Sequence, residues 1–287
     1  CLDFACFAPF SRFSRNLAGT HPMNNPFKQL LANKALPAGY PVGTWVMSAS
    51  PVVAEAVGCA GFDWAVVDME HTPLDMMELV HLMQAIAGTP MLPITRVPWN
   101  DAVMVKRVLD AGAQTLMFPF VQTAEEARKA VAAAKYPPQG MRGMAAMSRG
   151  SRFGTVKDYF KVANDAVSVI VQIETPEAMV RIDDIASVPG VDSLFIGPGD
   201  LSGAMGHVGD LMHPEVVALM ADGVKRCHAR GLPIGTVGGT PEAVATYRAA
   251  GFDYIGCGSD LGLMMRNCAA VLSSIRAQDI QIHSQGY

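Results

Sequence analysis

From residue 41 onward, short runs of apolar residues alternate with segments whose apolar positions recur every three or four residues. The runs fall at 42–46, 64–69, 91–96, 115–119, 168–173, 193–196, 233–237 and 254–257. They are apolar on both faces and too short for helices, so they predict strands in a sheet that is covered on both sides. The intervening segments, at 51–60, 74–87, 102–111, 124–135, 175–185, 214–230, 241–250 and 261–278, carry the period of amphipathic helices. Helix starts agree with this register. Thr123 with Glu126 three residues on predicts a capping box, and Pro176, Pro214 and Pro241 stand where a first helical turn tolerates a missing N–H.

Repeated strand–helix units over about 250 residues predict a (β/α)8 TIM barrel, one domain spanning 23–287. An open doubly wound sheet would need a glycine fingerprint after its first strand, and "VGTWVMSASP" has none. Two connections, 136–155 and 197–212, are longer than a barrel requires and read as functional loops. Residues 1–22 show neither period; they read as a leader outside the domain, with a transit peptide as the rival.

Composition narrows the class. A net charge of -4 without a basic cluster argues against nucleic acid as a partner. Every apolar stretch is broken before membrane-spanning length. The six cysteines form no CxxC pair, which fits a reducing, cytoplasmic setting.

A barrel enzyme places its chemistry at the C-terminal ends of its strands. Those ends hold Asp68, Glu70 and His71 after the second run, Arg96 after the third, Glu174 after the fifth and Asp200 beyond the sixth. Gln172 lies two residues before Glu174 and shares its side of the strand. Any one of these reads more readily as a cap or a surface ion pair, as Asp101 and Asp183 do. Their convergence on one face is the functional signal. His81, His207, His213, His228 and His283 read as surface or core residues. Glu174 and Asp200 offer oxygen ligands alone, which suit Mg²⁺, Mn²⁺ or a similar hard divalent ion. No lysine from Lys106 to Lys225 ends a strand, so imine chemistry is disfavoured.

"DMEH" (68–71), "RVPWND" (96–101), "MRG" (141–143), "QIET" (172–175) and "GPGDLS" (197–202) together resemble the HpcH/HpaI aldolases, metal-dependent pyruvate aldolases. The resemblance implies cleavage of a 4-hydroxy-2-oxo acid to pyruvate and an aldehyde through an enolate. It implies Glu174 and Asp200 as ligands of Mg²⁺, Mn²⁺ or Co²⁺, and Arg96 as the group that binds the keto oxygen. His71 would be the acid–base residue, oriented by Asp68 or Asp110. Gln172 would support the metal or the substrate, and Ser202 with the backbone around Gly199 and Asp200 would meet the substrate. Gly199 departs from the alanine common in relatives. The C-terminal helix, apolar at Leu261, Met264, Met265, Cys268, Val271, Leu272 and Ile275, would be exchanged between the subunits of a homohexamer.

Three rivals remain. A CoA-thioester lyase of the citrate lyase β type would have to use Arg142, Arg149 and Arg152 of the long loop. A non-catalytic barrel could bind a sugar acid. Gly238, Gly239 and Ser259 could hold a phosphate at a helix N-terminus.

Overall fold

A computed structural model of the chain describes residues 24–33, 36, 39–276 and 279–281. The proposed leader at 1–22 and the last predicted helical residues, 277–278, lie outside this set. The strands are β1 (Val42–Val46), β2 (Trp64–Asp68), β3 (Leu92–Arg96) and β4 (Thr115–Phe118), then β5 (Ser168–Ile173), β6 (Ser193–Ile196), β7 (Ile234–Gly238) and β8 (Tyr254–Ser259). All pair in parallel in sequence order, and β1 with β8 closes the barrel. The predicted TIM barrel is the observed fold.

Its helices begin with α1 (Pro26–Ala32), α2 (Pro51–Cys59), α3 (Met76–Ile86), α4 (Ala102–Asp110) and α5 (Ala124–Ala134). There follow α6 (Tyr159–Ala166), α7 (Pro176–Val180), α8 (Ile182–Ala186) and α9 (Pro198–Ala204), then α10 (Pro214–Ala229), α11 (Pro241–Ala250) and α12 (Asp260–Arg276). The capping box at Thr123 is present, and Pro176, Pro214 and Pro241 each open a helix. Asp101 caps α4 by accepting from Met104 N at 2.8 Å.

Two apolar layers hold the barrel. Outside the strands, Val67, Leu116, Val171 and Ile196 bury against residues such as Leu82, Val108, Ala127 and Met220 of the surrounding helices. Inside, Trp45, Trp64, Phe195 and Tyr254 stack edge-on or tilted with centroids 5.6–5.9 Å apart. Glycine makes room for them: a Cβ on Gly43 would stand 2.1 Å from the Trp64 ring. Phe27 of α1, 1 % exposed, meets Trp64 and Tyr254 from the N-terminal end of the barrel. Asn25 ties α1 there by donating to the carbonyls of Gln114 and Ala166. Phe27 thus covers the barrel interior from that end.

The helix expected over 175–185 is divided at Arg181. The Arg226 guanidinium accounts for the break, because it donates to the carbonyls of Met179 and Val180 at 2.9 Å and occupies acceptors that a continuous helix would use. The connection at 197–212 contains helix α9, and α6 follows the one at 136–155. α6 starts at Asp158 without a side-chain cap, and α9 contains proline and two glycines, so neither advertises itself. No helix among the described residues is long and apolar enough to cross a membrane.

Candidate active site

Arg96 is the last residue of β3 and Asp68 the last of β2, and the parallel register places them side by side. The Asp68 carboxylate accepts Arg96 Nε at 2.8 Å and Nη2 at 2.6 Å, a bidentate pair with Arg96 2 % exposed and Asp68 fully buried. Glu70 stands 3.0 Å from Nη1 of the same guanidinium. Burial raises the Glu70 pKa, against the opposing pull of Arg96. Glu70 was a strand-end carboxylate without a role in the sequence. Its position two residues beyond Asp68, directly after a buried run, was the available signal.

His71 is half exposed at the mouth, with Nε2 3.8 Å from Glu70 Oε2. The structure does not give it either of the expected orienting partners as a side-chain contact. Asp68 spends its carboxylate on Arg96 and on the backbone N–H groups of Glu70 and His71. Asp110 closes the last turn of α4, which returns the chain to the opposite end of the barrel, and there it pairs with Arg142 at 2.7 Å. Within one chain Asp110 is not part of this site.

Glu174 follows β5 and is 3 % exposed. Phe120 N donates to one of its oxygens at 2.8 Å and Gln172 Nε2 to the other at 3.0 Å. Phe120 has φ +53°, a costly conformation for a bulky residue, and that conformation accompanies the N–H bond to Glu174. Burial pushes the Glu174 pKa up to about 7, with the neighbouring Asp200 charge acting in the same direction. Asp200 stands on the first turn of α9, exposed toward the same cavity.

The cavity is about 180 Å³. Trp45, Phe195, Leu211 and Val237 form apolar walls, and His71, Arg96, Gln172, Glu174 and Asp200 supply the polar groups. Gly199 lies at its edge, where an added Cβ would meet nothing within 4 Å, so glycine in place of alanine there removes no contact. Ser202 is fully buried, does not line this cavity, and donates its hydroxyl to the Gly199 carbonyl at 2.8 Å.

The donor set fits a hard divalent ion. Two carboxylates converge, and Gln172 Oε1, buried beside Glu174, has no hydrogen-bond partner among the described residues. A buried acceptor left unmatched is costly, and a cation or its bound water would satisfy it. Gly197 makes the approach possible, since a Cβ there would lie 2.5 Å from Glu174 Oε1. Gly197→Ala is expected to displace Glu174, cost about 1–3 kcal/mol of overpacking and weaken metal binding. Gly199→Ala should leave metal affinity unchanged. Equal affinities for the two variants in a metal titration would contradict this placement.

The sign of the Glu174 shift sets a pH dependence. Its folded pKa is above the ordinary 4.5, so the metal-free fold holds the proton more tightly than the unfolded chain does. The metal-free protein should therefore lose stability as pH rises from 4.5 towards about 7, and Glu174→Gln should remove that loss. A divalent ion held by Glu174 would bind about tenfold more weakly per pH unit below about 7, as protons compete for the carboxylate. An affinity flat from pH 5 to 8 would count against Glu174 as a ligand.

The loop arginines lie elsewhere. Arg142 is 3 % exposed and bound to Asp110, and Arg149 donates to the Ala111 carbonyl at the end of α4. Ser259 Oγ accepts Gly262 N at 3.1 Å, an ordinary helix start.

Acids, an arginine and a histidine gathered at the C-terminal ends of the barrel strands have the layout of an enzyme active centre. Residues 42–267 match the family model HpcH/HpaI aldolase/citrate lyase. The chain is 51 % identical over 83 % of its length to 2-dehydro-3,6-dideoxy-6-sulfogluconate aldolase of Pseudomonas putida, covering 93 % of that protein. It is 44 % identical over 87 % of its length to 4-hydroxy-2-oxo-heptane-1,7-dioate aldolase of Klebsiella pneumoniae subsp. pneumoniae, covering 93 % of it. Among solved structures, a HpcH/HpaI aldolase/citrate lyase family protein from Burkholderia cenocepacia J2315 superposes with a TM-score of 0.84 at 38 % identity, over 88 % of this chain and all of that one. The chain belongs to the HpcH/HpaI aldolase/citrate lyase family.

Proposed function

We propose that the protein is a divalent-metal-dependent pyruvate aldolase that reversibly cleaves a 4-hydroxy-2-oxo acid into pyruvate and an aldehyde. The observation that carries this reading is the meeting of Glu174, Asp200 and Gln172 with Arg96 and His71 in one small cavity. The two relatives named above are aldolases of acids of this class.

Glu174 and Asp200, with Gln172 beside them, would hold Mg²⁺, Mn²⁺ or Co²⁺. When bound, the ion supplies Lewis-acid stabilisation of negative charge on the keto oxygen. Arg96, immobilised by Asp68 and Glu70, presents a fixed positive charge to the same developing oxyanion. As the C4 hydroxyl proton passes to His71, the O–H pair forms the aldehyde C=O, the C3–C4 pair becomes the C2=C3 bond of the enolate, and the charge moves to the keto oxygen. Protonation of C3 then completes pyruvate. The first-turn N–H groups of α9 at Gly199 and Asp200, which have no partner within that helix, suit the substrate carboxylate. Trp45, Phe195, Leu211 and Val237 limit water at the cleavage site. A panel of aldehydes incubated with pyruvate and Mg²⁺ should reveal adduct formation with at least one. Borohydride with pyruvate should label no lysine, and a labelled lysine would sink the metal reading.

The same proposal includes assembly. The α12 positions Leu261, Met264, Met265, Val271, Leu272 and Ile275 are 37–74 % exposed, so the chain's own barrel leaves the stripe uncovered. Burial against a neighbouring subunit would cover it, and the family resemblance points to a homohexamer. Light scattering at low micromolar concentration should find an oligomer that Met264→Asp disrupts; an active 30.5 kDa monomer would contradict it. Free Cys59, Cys227, Cys257 and Cys268 are consistent with a cytoplasmic setting.

A further inference from the structure

The segment between α9 and α10 gathers a second group of ligating side chains that the aldolase reading does not use. The His207 and His213 rings lie face to face, 3.5 Å between centroids and 14° from parallel. Glu215 Oε2 sits 3.1 Å from His207 Nε2. One ligand atom from each of the three residues lies within 4.8 Å of the others, the only such grouping among the described residues. His213 Nδ1 accepts the Glu215 backbone N–H at 3.3 Å and caps α10, which leaves Nε2 as that ring's outward nitrogen. A helix cap accounts for His213. It does not account for a second imidazole stacked on the first with a carboxylate at its edge.

We infer that His207, His213 and Glu215 form a second metal site, selective for a borderline transition ion such as Zn²⁺, Co²⁺ or Ni²⁺. Two imidazoles and one carboxylate suit these ions, whereas the oxygen-only donors of the active cavity suit Mg²⁺ or Mn²⁺. An imidazole donates in its own plane, so the stacked rings must tilt apart to share an ion; their ligand atoms, within 4.8 Å of one another, stand near enough to close on metal–nitrogen bonds of about 2.0–2.1 Å. Glu215 is 71 % exposed and His207 24 %, so both side chains can swivel onto an ion and water can complete its shell. The position matters because the chain between the two histidines carries Leu211, a wall of the active cavity. Tyr247 already holds this segment from outside by donating to the Leu211 carbonyl at 3.4 Å. An ion bridging 207, 213 and 215 would add a second tie to the same segment.

Co²⁺ is a suitable probe, since it absorbs in the visible more strongly with imidazole donors at low coordination number than in an octahedral shell of oxygens. Full-length protein without a histidine tag, with the active cavity saturated by Mg²⁺, should take up one further equivalent of Co²⁺ per chain. That uptake should bring visible bands and a higher Tm. His207→Ala and Glu215→Gln should each abolish the bands, the extra equivalent and the Tm rise, while Mg²⁺-supported turnover persists. The comparison of wild type with His207→Ala decides the matter even if the active cavity proves not to use a metal. No additional Co²⁺ equivalent in the wild type, or the same uptake in both variants, would overturn the inference.

Discussion

Arg96→Ala is expected to lower kcat/KM by about 10²–10³-fold through lost oxyanion stabilisation, the usual scale for removing one such donor. The same change should destabilise the fold by about 3–5 kcal/mol, because it leaves the fully buried Asp68 carboxylate without its ion-pair partner. Arg96→Lys separates the two effects. A lysine keeps a charge near Asp68 but cannot reproduce the fork that spans both Asp68 oxygens and Glu70, so stability should recover further than activity. Thermal melts read alongside steady-state kinetics provide the test. A folded Arg96→Ala protein with wild-type kcat/KM would remove Arg96 from the mechanism.

His71→Ala should behave in the opposite way. The side chain is 53 % exposed and its nearest charged neighbour, Glu70, is held by Arg96 in any case. Stability should therefore change little, within the range of an ordinary surface substitution. Cleavage should fall by about 10²–10⁴-fold, the scale of general acid–base catalysis. Metal affinity should be unaffected, since His71 lies outside the carboxylate–amide donor set. A His71→Ala enzyme that cleaves at the wild-type rate would show that the C4 proton leaves by another route.

Much of this was legible in the sequence because barrel strands are buried on both faces. Runs such as Trp64–Asp68 and Ser168–Ile173 stand out against any amphipathic background. Strand ends were legible for the same reason: an acid or arginine directly after such a run sits at the mouth. Residues on helices were harder. Asp110 follows Arg96 by one helix, and only the length of α4 shows that the chain has by then crossed to the other end. Ser202 was hard to place for another reason, since a hydroxyl in a short helix can bond its own turn, and composition does not reveal that. The pairing of Asp68 with Arg96 depends on the register between β2 and β3, which no local pattern encodes.

On this reading the cavity stabilises negative charge on a pyruvate-like keto oxygen with the help of a divalent ion. Exchange of the pyruvate methyl protons in D₂O, without any aldehyde, measures that step directly by proton NMR. Protein supplied with Mg²⁺ or Mn²⁺ should incorporate deuterium. Exhaustive chelation should stop incorporation, re-addition of the ion should restore it, and Arg96→Ala should suppress it under every condition. Exchange continuing at an undiminished rate after chelation would contradict the account.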